Sequence, residues 1–287
     1  MLDLFGKMKE FFTDILIDII KENLSAMLLD INDKVSTIAG EVGKTPSSWN
    51  SEVFSFIQSI NENVVLPIAA IILTAILCME LIQVVMNKNS MHDIDTFDFF
   101  KYVIKMWVAV WLVSHAFEFS VAIFDVAQSM IAKAAGVVGS SANIAPADFE
   151  AMVDALKTES LGTLIGIAIE TGLVKFSLTV LSVLITVILY GRMVEIYIYC
   201  SIAAIPFSTM GNREWGSIGT NFIKSLVALG LQGLFILVFF GIYAVLVKTV
   251  NFTDIHTSIL QVLGYGLILG IMMMKSGSIA KSILNSH

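Results

Sequence analysis

A chain of 287 residues with 56% hydrophobic and only 14% charged residues is too apolar for a soluble globular domain, which carries about 25% charge. Its net charge of −7 excludes a broadly basic surface for nucleic acid, leaving room only for a local basic patch. Cys78 and Cys200 sit inside apolar runs without metal or redox spacing and are expected to be packing residues.

In chain order, the first thirty-five residues lack the uninterrupted apolar core of a cleavable signal peptide. Phe5, Met8, Phe12, Ile15 and Ile19 recur at spacings of three and four, opposed by Lys7, Glu10, Asp14, Asp18 and Lys21. The pattern predicts an amphipathic helix lying at the interface, packing on a neighbouring subunit, or folded onto its own bundle. From Val35 to Asn63 the chain is polar, Pro46 breaks the helix, and Ser48 or Asn50 caps the next one. Trp49 suits the headgroup level.

A first span is expected from Val64 to about Met86, with Pro67 near its start and Glu80 reaching the far interface. The loop Asn87 to Thr96 holds His92, Asp93 and Asp95 in no recognised metal spacing. A second span follows Lys101 and Lys105 and extends to about Ile131. On it Ser114, Glu118, Asp125 and Ser129 share one face, with His115 adjacent; that stripe lines an aqueous lumen or faces a loop of the same chain. Residues 132–160 read as an acidic extracytoplasmic loop with a short helix near Asp148, Glu150 and Asp154.

The stretch from Leu161 to Met210 is apolar yet carries Glu170, Lys175, Arg192 and Glu195. A charge at the middle of a membrane helix costs about 2.5–3.5 kcal/mol, so these groups should meet protein, a partner or water. One long tilted span, Val174 to Pro206, is expected, preceded by an interfacial helix with Glu170. Arg192 and Glu195 are three apart and close enough to pair; facing inward in an oligomer instead, Arg192 would ring a lumen. The polar segment 211–224, with Gly211, Asn212, Arg213, Glu214 and Trp215, reads as a cytoplasmic docking loop. Spans at Phe222 to Val247 and Ser258 to Met274 complete the set, with Gly230, Gly233, Gly266 and Gly270 placed for close helix packing.

The expected fold is therefore all-α, a polytopic α-helical membrane protein with about five transmembrane helices plus the N-terminal amphipathic helix. Its organisation is an amphipathic or interfacial region 1–62 and a transmembrane bundle 63–287. Lys88, Lys101, Lys105, Arg213, Lys224, Lys275 and Lys281 prefer the cytoplasm, which puts the N-terminus outside and the C-terminus inside. No phosphate loop, zinc-protease pair or nucleophile elbow is present in the sequence, so no enzyme, cofactor or metal is expected.

Five ordered stretches carry a family likeness: Thr45-Pro46 with Trp49-Asn50, Met91 to Phe97, Tyr190 to Tyr197, Pro206 followed by Gly211 to Glu214, and Lys275 to Ser282. In these the chain resembles the TrbL-type conjugal transfer proteins of mobile elements in Gram-positive bacteria, over almost its whole length. The resemblance implies a polytopic inner-membrane component of a type IV secretion system. It also implies a homo-oligomeric ring with an external N-terminus, working beside ATPases, a coupling protein and a relaxase bound to single-stranded DNA. The expected role is a non-enzymatic channel or scaffold subunit helping a single-stranded DNA–protein complex across the cytoplasmic membrane. Glu118, Asp125, Glu170, Lys175, Arg192 and Glu195 are the expected lumen or subunit-interface residues. The alternative is a small-solute or ion transporter using the same buried charges.

Overall fold

The computed structural model of the chain describes residues 2–28, 31–86, 96–141, 146–250 and 255–285. Among them every regular element is helical. In order these are α1 (Leu2–Leu28), α2 (Ile31–Val42), α3 (Pro46–Trp49), α4 (Ser51–Ile60), a π-helical turn (Asn61–Val65), α5 (Leu66–Met86), α6 (Thr96–Ser114), α7 (Ala116–Ser141), α8 (Pro146–Leu156), α9 (Leu161–Ile202), α10 (Ala204–Thr209), α11 (Gly216–Lys248) and α12 (Ile255–Ile283). Five helical stretches are long and apolar enough to cross a membrane: Ser51–Met86, Ala116–Val138, Leu161–Ile202, Gly216–Lys248 and Ile255–Ile283. The all-α, multi-pass character expected from the composition is therefore realised, although three boundaries fall elsewhere.

The first concerns Pro67, which lies inside one continuous helical stretch instead of at the start of a separate span. Proline cannot donate to the carbonyl four residues back, and its ring crowds that carbonyl. The chain answers with the π turn just upstream, where Leu66 N–H reaches the carbonyl of Asn61. The second expected span is instead shared between α6 and α7, which meet at His115. There the imidazole Nδ1 lies 2.9 Å from the Trp111 carbonyl that its own amide also uses, and the ring stacks on Trp111. The third boundary merges the expected interfacial helix at Glu170 with the long span. α9 runs unbroken for 42 residues, about 63 Å, and stops at Ile202 because Pro206 has no amide to give that carbonyl.

The polar segment 132–160 is also more helical than a loop, since α7 continues to Ser141 and α8 fills Pro146–Leu156. In the same way α11 begins at Gly216, inside the expected loop 211–224. The loop containing His92, Asp93 and Asp95 lies outside the described residues.

Contacts divide the chain into two compact units. One comprises Met1–Gly43, Ile131–Leu189 and Leu234–Ser276. Its core joins Ile20 and Leu24 of α1, Leu156 of α8, Leu164 and Ile167 of α9, Ile236 of α11 and Ile259 of α12. Within it, Asn23 donates to the Thr171 hydroxyl at 3.3 Å, and that hydroxyl donates to the Ile167 carbonyl.

The other unit comprises Lys44–Met130, Tyr190–Gly233 and Gly277–His287. Its core joins Ala69 and Leu73 of α5, Phe117 of α7, Ile196 and Cys200 of α9, Phe207 of α10, and Phe222 and Leu226 of α11. α5 packs along α10, and the beginning of the Ser51–Met86 stretch is held to the end of α9, where Asn61 Nδ2 donates to the Ser201 carbonyl at 2.9 Å. Thr45 caps α3 in a reciprocal capping box with Ser48 and places Pro46 at its first turn, while Asn50 Oδ1 accepts from the amides of Glu52 and Val53 to cap α4.

Candidate functional site: charged groups of the spans

The six charged residues singled out in the sequence each have surroundings of their own. Arg192 is 5% exposed, and its Nε donates to the Leu229 carbonyl at 3.1 Å. Glu195, one turn on, accepts from Lys281 Nζ at 3.2 Å. The structure thus gives Arg192 and Glu195 different partners, on α11 and α12, where their spacing alone would pair them. A carbonyl of α11 is thus one of the groups that the buried guanidinium meets.

Glu170 and Lys175 belong to the other unit and again have separate partners. His256 Nδ1 lies 2.6 Å from a Glu170 oxygen, and Lys175 donates to Glu22 at 3.0 Å. Glu80, expected to reach the interface, is bonded to Lys105 at 2.7 Å with only 11% of its side chain exposed. Each of these cases pairs a span charge with a group distant in sequence. Outside the spans, a hydrogen bond from Lys157 holds the Asp154 carboxyl below its ordinary range and raises the lysine in return.

Glu118 and Asp125 behave differently. Both are exposed on α7 with Ser114 and Ser129 nearby in sequence, and among the described residues neither carboxylate has a hydrogen-bond or ion-pair partner. Seven residues is about two turns, so both project from one face. Among the described residues, no hydrogen bond or ion pair from another part of the chain reaches either carboxylate.

A cluster that charge counting overlooks joins two of the short motifs. Tyr197 Oη donates to the Pro46 carbonyl at 2.7 Å, and Trp49 lies edge-on to Tyr190 with centroids 5.2 Å apart. Tyr190 and Tyr197, seven apart on α9, therefore grip the α3 turn. The spacing of these tyrosines is visible in the sequence, but no local pattern indicates that residue 46 lies beside residue 197.

The segment from Gly211 to Trp215 is a firmly tied turn. Asn212 Oδ1 accepts from the amides of Glu214 at 2.7 Å and Trp215 at 3.1 Å, and the Asn212 carbonyl accepts from Gly216. Arg213, Glu214 and Trp215 remain exposed, and Gly211 lies against Lys105. Of the expected packing glycines, a Cβ on Gly230 would stand 3.0 Å from Ala127, one on Gly266 2.9 Å from Leu178, and one on Gly270 2.8 Å from Leu181. Gly233 is buried on α11. Gly219, not singled out, is tighter still, since its Cβ would stand 2.6 Å from the Pro206 carbonyl.

The model of one protein family, described as TrbL/VirB6 plasmid conjugal transfer like protein, matches residues 31–204, more than half of the chain. No curated protein and no solved structure matches the chain.

Proposed function

We propose, for a chain that belongs to the TrbL/VirB6 plasmid conjugal transfer family, that it serves as a non-enzymatic channel or scaffold subunit of a conjugative type IV secretion system. It assembles as a homo-oligomer in the cytoplasmic membrane and helps a single-stranded DNA–protein complex to cross. The observation that carries this is the pair Glu118 and Asp125, exposed and without a partner among the described residues on a helix apolar enough to span. Lipid is a poor neighbour for Asp125, near the middle of the Ala116–Val138 stretch, where a charge costs about 2.5–3.5 kcal/mol, while Glu118 stands in the first turn of the same helix. A neighbouring subunit or a water-filled lumen removes that cost. Their sign favours a subunit contact, because carboxylates repel a DNA backbone.

A second feature supports assembly. α9 exposes Ile165, Ile169, Phe176, Val183, Val194 and Ile202, a stripe about 55 Å long by helical rise. A hydrocarbon core is about 30 Å thick, and tilts rarely exceed about 40°. Even at that tilt part of the stripe lies outside lipid, so protein is its natural cover. The transporter alternative needs charged groups that converge on one binding site, whereas Arg192, Glu195, Glu170 and Lys175 each bond to a different group.

The N-terminus is assigned to the outside and the C-terminus to the cytoplasm, in accord with the lysine-rich flanks. α1 shares a core with α8, which fits both being external, and Lys105 meets Gly211, which fits both being cytoplasmic. The tied turn Gly211 to Trp215 then presents Arg213, Glu214 and Trp215 to cytoplasmic partners such as the ATPases and coupling protein. Photoreactive residues at Glu118, Arg192 and Trp215 test the role in mating cells. Attachment of position 118 to protein with transfer intact supports the subunit contact, and attachment to lipid alone overturns it. DNA recovered on position 192 makes the subunit part of the conduit.

A further inference from the structure

Helix α1 carries two apolar faces, and only one is packed. Ile17, Ile20, Leu24 and Met27 are buried in the core of their own unit. Met8, Phe11, Phe12, Ile15 and Ile19 are exposed, Phe11 by 62% and Phe12 by 50%. At about 100° per residue the exposed five fall within an arc of about 100°, well separated from the packed face. Glu10, Asp14, Asp18 and Lys21 fill the sector between, also exposed. Scattered exposed apolar residues need no explanation, but a contiguous face with two phenylalanines does. α1 is not among the stretches apolar enough to span, so burial within the hydrocarbon is not that explanation.

The place where α1 is fastened identifies what covers it. Glu22 and Asn23 bond to Lys175 and Thr171 of α9. Lys175 is the last charged residue before an uncharged run from Phe176 to Gly191, and the neighbouring Leu173 and Phe176 are exposed. α1 is therefore attached where a spanning helix changes from charge-bearing to purely apolar, which is the level of a bilayer surface.

We propose that α1 lies in the membrane interface, with Met8, Phe11, Phe12, Ile15 and Ile19 among the upper acyl chains and its acidic sector in water. The occupant of the exposed face is lipid. A helix with a broad apolar face and a strongly polar one, too polar overall to cross the bilayer, binds in this plane by burying its apolar face at the headgroup–acyl boundary. The polar sector mixes Lys21 with three acids, so hydrophobic insertion provides the attraction and anionic lipid adds little.

The test uses the full chain with Cys78→Ser and Cys200→Ala, reconstituted in vesicles of phosphatidylethanolamine and phosphatidylglycerol. A polarity-sensitive fluorophore is attached to Phe12→Cys, Ile15→Cys or Asp14→Cys in separate samples. Probes at positions 12 and 15 should be quenched several-fold more by a nitroxide high on the lipid chain than by aqueous iodide, with the reverse at position 14. Equal iodide quenching at all three positions overturns the proposal. Protection of position 12 from both quenchers shows a protein cover and overturns it too, as does stronger quenching by a nitroxide near the chain end, which means insertion across the core. Should Phe12→Cys not reconstitute, Ile15→Cys and Ile19→Cys report the same face.

Discussion

Asn61 and Ser201, 140 positions apart, are joined by a 2.9 Å bond from the asparagine amide to the serine carbonyl. Asn61 opens the π turn, and Ser201 sits one residue from the end of α9, so two helix irregularities meet face to face. Replacing Asn61 by Leu removes the donor and leaves the Ser201 carbonyl without it in a part-buried setting. The expected loss is about 1–3 kcal/mol, read as a lower thermal midpoint of the purified protein in detergent; an unchanged midpoint would show that the bond is dispensable.

The grip of α9 on the α3 turn gives a graded series. Tyr197→Phe keeps the ring and loses the hydroxyl bonded to Pro46, for about 1 kcal/mol. Trp49→Ala also removes the ring contacts with Tyr190 and Tyr197, for about 3 kcal/mol. Protease cutting within residues 44–50 should rise in the same order, and the double variant should lose less than the sum because the two side chains touch.

Gly219 faces the Pro206 carbonyl so closely that an added methyl meets backbone at 2.6 Å. Gly219→Ala is expected to destabilise by about 1–3 kcal/mol through forced separation of α11 from α10. Gly264→Ala, where nothing lies within 4 Å, serves as its control and should be neutral or slightly stabilising in the same melt.

Glu195 and Lys281 are each 39% exposed, so their bond contributes only about 0.2–1 kcal/mol. The single reversals Glu195→Lys and Lys281→Glu should each lower transfer or assembly, and the double reversal should restore it. Failure of the exchange would mean that one of the two also serves a contact outside this chain.

For Glu118 and Asp125 the expected result is a separation of stability from assembly. Glu118→Gln with Asp125→Asn should leave the melting of the isolated chain within about 0.5 kcal/mol, as for exposed groups without partners. The same pair should weaken subunit crosslinking and transfer frequency at least severalfold, with Glu118→Lys the more severe. A parallel loss of melting temperature would instead make them part of the fold.

Membrane class and helix content follow from patterns a single chain carries locally, because the hydrophobic effect and backbone satisfaction act on every stretch of twenty residues alike. The expected spans from Phe222 and Ser258 fall within α11 and α12 for that reason. Less visible was the continuity of helices around prolines and polar residues. Pro67 is absorbed by a π turn, whereas Pro206 ends a helix, and that difference depends on what packs nearby. The Tyr190 to Tyr197 stretch stood out in sequence; that it holds Pro46 did not.

The sequence by itself determined that the chain is helical, multi-pass and studded with charges that lipid disfavours, since composition and periodicity act through local physics. Only the tertiary structure decided which charge meets which group. Arg192 finds the Leu229 carbonyl, Glu195 finds Lys281, Glu170 finds His256 and Lys175 finds Glu22, all across long separations. Electrostatic pairing depends on distance in space, which spacing along a helix bounds only for residues within about a turn. Glu118 and Asp125, by contrast, stay exposed on α7 with no such partner among the described residues.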